Sequence, residues 1–213
     1  IVIALLVGVV LGTFVTQPAL KLLVAPLGGE MEVIAISPTE APAVFFKVAI
    51  VIGVVIAMPV IMYQLFRFAA PGLEPLERRY IMIGAPVASL SFAIGVVFAA
   101  LVLLPSALPF LQGFLADIVK QQYSIEKYIS FVSNILIWAG IVFETPLVMF
   151  FLAKLGVVSA SGFAKARRIV IVAAAAGAAV ITPTVDPVNM LLVMMPFLVL
   201  YEVGILLAKL ARP

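Results

Sequence analysis

The segment AAPGLEPLERR, residues 69–79, separates two long apolar runs of the chain. Its two prolines and its glycine interrupt any helix that continues from the first run, so the segment is predicted to be a loop. Glu74 and Glu77 place two carboxylates beside Arg78 and Arg79 at the edge of these runs. Two interpretations are open: an exposed turn in which Glu74 pairs with Arg78, or an acidic functional site.

The composition is that of a membrane protein. Of 213 residues, 65% are hydrophobic and 11% are charged, and the mean hydropathy is +1.32. This leaves too little polar surface to cover a water-soluble globule. The chain contains no cysteine and no histidine, which excludes disulfides, thiol chemistry and the commonest metal ligands. We therefore expect no metal site, no cofactor and no catalytic residues, and the protein is not expected to be an enzyme.

Six apolar runs predict six transmembrane helices in an all-α integral membrane protein, with residues 1–213 forming one polytopic domain. The runs are residues 1–15, 48–66, 80–104, 128–152, 169–181 and 188–201. The last two contain only 13 and 14 residues, about 20 Å as helices, so we expect two short helices. Because the first run is also short, we expect the native chain to begin earlier, with a cytoplasmic segment.

The distribution of lysine and arginine predicts the orientation. Nine of the thirteen basic residues lie in the loops after the second and fourth runs or near the C-terminus, and four lie toward the opposite face. Cytoplasmic loops carry the excess of basic residues in membrane proteins. Both termini and the loop 69–79 are therefore expected in the cytoplasm. This topology explains the net charge of +3 better than nucleic-acid binding does.

Three local patterns predict contacts outside this loop. Gly8 and Gly12 are four residues apart, a spacing that allows two membrane helices to pack closely. Ser37 and Glu40 have the spacing of a capping box at the start of a helix. Residues 106–127 carry apolar side chains at helical spacing, which predicts an amphipathic segment on the membrane face, after a third helix closed by Pro105.

Glu144 is the carboxylate predicted to lie deepest in the membrane. It precedes Lys154 by ten residues, about 15 Å along a helix, and Pro146 is expected to kink that helix beside it. Such a group either faces a wet cavity or a polar partner, as a functional group, or is a protonated strut bonded to Gln64 or Asn134.

Glu144 also motivates two other function classes. The first is a proton-coupled secondary transporter, in which Glu144 carries the proton. The second is an intramembrane hydrolase or transferase that uses Glu144 together with Asp186, a residue expected in a short external turn. No phosphate-binding loop, dinucleotide-binding motif or serine-hydrolase motif occurs in the sequence, so neither nucleotide-driven transport nor serine hydrolysis is indicated.

Five short motifs run through the chain from end to end. They are SPTEAP at 37–42, PGLEPLERR at 71–79, FETP at 143–146, ITPTVDP at 181–187 and LYE at 200–202. In this order and spacing the chain resembles TatC, the multispanning receptor subunit of the twin-arginine protein translocase. The resemblance implies a glove-like concave bundle whose function is to recognise the twin-arginine signal peptide of folded precursor proteins and to nucleate the translocation complex.

The resemblance also implies roles for particular residues. Glu77, with Glu74 beside it, is expected to bind the two arginines of the signal peptide on the cytoplasmic face. Glu144, with Gln64 as a second polar group in the membrane, is expected to line the concave face of the bundle.

Partner subunits are implied by the same resemblance. The fifth and sixth helices, around Thr182 and Asp186, are expected to dock single-span subunits of the TatA and TatB type. Where the family usually has a glutamine, this chain has Asn189 and Met190. An oligomer, a surrounding lipid bilayer and no nucleic acid are expected, in a prokaryotic cytoplasmic (inner) membrane rather than a thylakoid membrane.

Overall fold

A computed structural model of the chain describes residues 1–27, 33–69, 75–113, 122–181 and 187–211. Within these ranges the chain folds into eight α-helices, and its helical character confirms the predicted class. The helices are α1 (Val2–Val24), α2 (Glu40–Ala69), α3 (Pro75–Phe98), α4 (Leu104–Gly113), α5 (Ile125–Phe143), α6 (Thr145–Lys154), α7 (Ala160–Ile181) and α8 (Pro187–Leu210). A 3-10 turn (Ala25–Leu27) follows α1, and a π-helix (Ala99–Leu103) joins α3 to α4.

Five stretches of the described residues are long and apolar enough to cross a bilayer. They are Val2–Leu27, Glu40–Leu65, Gly84–Pro109, Ile125–Lys154 and Val193–Leu210. A multi-pass membrane protein is thereby confirmed. Helix α7 is not among the five because Lys165, Arg167 and Arg168 lie in its first three turns.

The last two helices are longer than the sequence predicted. Helix α7 has 22 residues and α8 has 24, about 33 Å and 36 Å, so the prediction of two short helices is wrong. Residues 160–168, which include three basic side chains, precede the apolar run of α7 and are helical. Residues 202–210, which include Glu202 and Lys209, follow the apolar run of α8 and are also helical. A helix ends where its backbone hydrogen bonds end, which need not be where its apolar surface ends.

Helices α1 and α2 meet through small residues. A Cβ atom on Gly8 would lie 2.5 Å from the carbonyl oxygen of Gly53, and one on Gly12 would lie 2.5 Å from that of Ala49. The close contact predicted from the glycine spacing is confirmed. It exists because hydrogen in place of a side chain lets two backbones approach.

One end of the bundle is held together by polar contacts. Strands β1 (Val33–Ile34) and β2 (Tyr123–Ser124) pair in parallel there. The Tyr128 hydroxyl donates a hydrogen bond of 2.6 Å to the carbonyl oxygen of Leu23, at the end of α1. The Ser124 hydroxyl, at the start of α5, donates one of 3.1 Å to the buried carboxylate of Glu40.

The capping box predicted at Ser37 and Glu40 is wrong. Helix α2 begins at Glu40 itself, whereas a capping box would require Glu40 to be the third residue of the helix. The Glu40 side chain is therefore directed to Ser124, and the Ser37 hydroxyl lies 2.9 Å from that of Thr39.

The third predicted helix does not end at Pro105. Pro105 is the second residue of α4, which follows the π-helix without interruption, and helical structure continues to Gly113. Helix α4 thus occupies the first part of the predicted amphipathic segment, while residues 114–121 of that segment lie outside the described residues.

Buried apolar side chains of the described residues form three clusters. The first lies around Ile129 and joins α1, α2, α4 and α5. The second lies around Phe92, between α2 and α3. The third consists of Met149, Tyr201 and Ile205 with partly buried residues of α7, so it lies within α6, α7 and α8. The last three helices therefore have a core of their own.

Candidate functional site

Glu144 lies at a break between two consecutive helices. Helix α5 ends at Phe143 and α6 begins at Thr145. The backbone N–H of Glu144 donates to the carbonyl oxygen of Ile141, three residues back, at 3.1 Å. Pro146, at which the sequence predicted a kink, has no N–H to continue the α-helical ladder, which accounts for the break.

A neighbouring helix supports the broken end of α5. The Ser91 hydroxyl on α3 donates a hydrogen bond of 2.7 Å to the carbonyl oxygen of Phe143. This carbonyl is one of the groups that a helix end leaves without an intrahelical partner. This hydrogen bond from α3 thus holds the backbone immediately before Glu144 in place.

The Glu144 carboxyl group is buried beside Phe92 of α3. Its side chain is buried, with 6% of the residue exposed. Within the described part of the chain, neither carboxylate oxygen has a hydrogen-bond partner. A carboxyl group in this situation costs free energy in an apolar medium, whichever protonation state it adopts.

The predicted partners of Glu144 are wrong. Gln64 lies between α1 and α2, where it lines a cavity together with Ala4 and Val7. Asn134 of α5 is exposed. Because helix packing decides which side chains meet, sequence depth alone did not identify the neighbours of Glu144.

An ion pair that the sequence analysis missed joins α7 to α8. Arg167 donates two parallel hydrogen bonds of 2.7 Å to the carboxylate of Glu202. The hydrogen bond to Glu202 raises the pKa of the Arg167 guanidinium. The Tyr201 hydroxyl donates to the carbonyl oxygen of Phe163 at 2.8 Å. Tyr201 and Glu202 of the LYE motif therefore both connect α8 to α7. The sequence did not predict the ion pair because Arg167 and Glu202 are 35 residues apart.

The structure describes only part of the predicted acidic site. Glu77 is the third residue of α3, while Glu74 lies outside the described residues. Pro75, the first residue of α3, suits that position because its φ angle is already helical.

The partner-docking residues are likewise described in part. Thr182 and Asp186 lie outside the described residues. The pairing of Asp186 with Glu144 in a hydrolase or transferase therefore stays a prediction. Asn189 and Met190 belong to the first turn of α8, and Met190 is half-buried. In the described ranges, no group of three or more aspartate and glutamate residues could hold a metal ion.

The chain matches one protein family over most of its length. The sequence profile of TatC, the Sec-independent protein translocase protein, matches residues 1–196. The chain belongs to the TatC family. The TatC protein of Carboxydothermus hydrogenoformans is 38% identical over 213 residues, which are 100% of this chain and 88% of that protein. The chloroplast TATC protein of Pisum sativum is 34% identical and is aligned over 96% of this chain and 58% of its own length.

A solved structure agrees with this relationship. The crystal structure of the twin-arginine translocase receptor TatC superimposes with a TM-score of 0.87 at 36% identity, covering 99% of this chain and 93% of the other. The TatC resemblance predicted from five motifs is confirmed. As a TatC family member, the chain is a multi-pass membrane protein of the twin-arginine protein transport system.

Proposed function

We propose that this chain is the receptor subunit of a twin-arginine translocase. It binds the twin-arginine signal peptides of folded precursor proteins at the cytoplasmic face and nucleates the translocation complex. One observation carries the proposal: the match to a twin-arginine translocase receptor extends over 99% of the chain, at 36% identity. The distribution of basic residues supports six spans with both termini in the cytoplasm, as one polytopic domain.

The signal-peptide site is proposed at Glu77, with Glu74 beside it. Glu77 lies in the first turn of α3, where the helix dipole favours a negative charge. A carboxylate can accept two hydrogen bonds from one guanidinium, and partial removal of water at a membrane edge strengthens such a pair. The contact of Arg167 with Glu202, with two distances of 2.7 Å, is an example of this geometry within the same chain.

Replacement of Glu77 by lysine is expected to abolish crosslinking of a twin-arginine signal peptide to the protein in membrane vesicles. The reversed charge repels the two guanidinium groups instead of binding them. The matched control is Glu126→Lys, which makes the same charge change at an exposed residue of the first turn of α5. We expect that variant to crosslink like the unmodified protein. Unchanged crosslinking of the Glu77→Lys variant would refute the assigned role.

Partner docking is proposed at the turn between α7 and α8. Thr182, Asp186, Asn189 and Met190 are the residues proposed to contact single-span subunits of the TatA and TatB type. The buried Glu144 is proposed to meet a polar group of a partner or of the cargo, because a carboxyl group without a partner is costly in the membrane. The working form is proposed to be an oligomer in a prokaryotic cytoplasmic membrane.

The same carboxyl group favours a second candidate function. A buried glutamate without a hydrogen-bond partner could carry protons in a secondary transporter. Purified protein in liposomes would then show substrate-dependent proton flux. Absence of that flux would exclude transport of this kind and leave the receptor function unaffected.

A further inference from the structure

Among the described residues, the last three helices make few contacts with the rest of the molecule. The described residues of their apolar cluster, around Met149 and Ile205, all belong to α6, α7 and α8. Helix α8 packs closely against α6 in the half of the bundle proposed to be cytoplasmic. A Cβ atom on Gly204 would lie 3.2 Å from the Cα atom of Pro146 and still nearer to the Met149 sulfur. The Arg167–Glu202 pair joins α7 to α8, so α6, α7 and α8 form one packed unit.

The contacts that this unit makes with α3 come from one face of α6. Leu147 packs against the second cluster, beside Phe92. Phe151, one turn further on, places its ring where a side chain on Gly84 would lie. Both contacts are made by side chains of α6, and a small sliding displacement of packed helices shifts contacts of this kind together.

The chain connection between the two parts is the break at Glu144. Pro146 removes one hydrogen bond of the helical ladder, and the Glu144 carboxyl group adds none. Kinks of this kind occur where the ladder is interrupted by proline. Bending at this point costs less than bending at an intact turn, because fewer hydrogen bonds are strained.

An apolar cavity lies on the α5 side of this break, between the two parts. Trp138, Ala139 and Val142 of α5 form one wall, and Val193 and Pro196 of α8 form the other. Helix α8 therefore contacts α6 closely near Gly204 and leaves a gap beside α5 two turns earlier. The cavity has a volume of about 30 Å³, room for about one water molecule, and it lies where the two separately packed parts meet.

We propose that α6, α7 and α8 move as one body about the break at Glu144–Pro146, and that this motion opens and closes the cavity between α5 and α8. The inference rests on the packing of the described helices and does not depend on the proposed signal-peptide site. Glu144 lies at the pivot, so its surroundings change with the motion.

The test is the distribution of distances between spin labels on the full chain in lipid nanodiscs. One pair is placed across the break, at the exposed residues Ile94 of α3 and Val199 of α8. The control pair lies within the moving body, at Val172 of α7 and Leu206 of α8, which are also exposed. We expect two distances for the first pair and one for the control pair.

Two substitutions separate hinge motion from general flexibility. Ala139→Leu fills the cavity and is expected to remove the shorter of the two distances. Pro146→Ala restores a backbone donor and is expected to merge the two distances into one. A single narrow distance across the break, as in the control pair, would overturn the proposal. If Pro146→Ala does not fold, two distances that persist unchanged in Ala139→Leu would overturn it equally.

Discussion

Replacement of Gly53 by alanine is expected to loosen the contact between α1 and α2 and to lower the free energy of unfolding by roughly 1–3 kcal/mol. The new Cβ atom would lie 2.7 Å from the backbone nitrogen of Val9 and 2.9 Å from its Cα atom. Backbone atoms cannot rotate away as a side chain can, so α1 must shift as a whole. The measurement is thermal or denaturant unfolding of the purified protein in detergent.

Gly177→Ala in α7 is the matched control for Gly53→Ala. Outside the backbone of α7 itself, no atom of the described residues lies within 4 Å of the Cβ position at Gly177, and alanine favours a helix over glycine by about 1 kcal/mol. The control variant is therefore expected to be as stable as the unmodified protein or more stable. Equal stability of the two variants would contradict the close contact of α1 with α2.

Replacement of Glu144 by leucine is expected to raise the stability of the isolated protein by about 1–3 kcal/mol, because it removes a buried carboxyl group for which the described residues provide no side-chain partner. The same substitution is expected to reduce transport strongly, since the proposed polar contact is lost. The stability of this variant is thus expected to rise while its transport activity falls, as expected where a protein keeps an unfavourable group because its function requires it.

Glu126→Leu controls for a general effect of replacing glutamate by leucine. Glu126 is exposed in the first turn of α5, so we expect little change in stability and none in transport. Strong destabilisation by Glu144→Leu would show that the carboxyl group is bonded in the protein as purified and would contradict its proposed role.

The sequence predicted those features that depend on neighbouring residues in the chain. The break beside Pro146, the burial of Glu144 and the close approach at Gly8 follow from local geometry or hydropathy, and the structure confirms them. The family was identified from motifs spread over the chain, and the comparisons confirm it.

Features that depend on packing between distant segments were not predictable. Glu40 bonds to Ser124, 84 residues away, instead of capping its own helix. Arg167 pairs with Glu202, 35 residues away, and the motif that contains Glu202 does not indicate this partner. The partners suggested for Glu144 were wrong for the same reason, since depth in the membrane restricts one coordinate of a side chain and leaves its direction around the helix open.

The most direct test of receptor function is the affinity of a signal peptide with two arginines, compared with the same peptide carrying two lysines. Only guanidinium groups bind a carboxylate through two parallel hydrogen bonds. The unmodified protein is expected to prefer arginine by about tenfold, which corresponds to about 1.4 kcal/mol. In Glu77→Gln this preference should disappear. An equal preference for arginine in both proteins would contradict the proposal that Glu77 recognises the twin arginines.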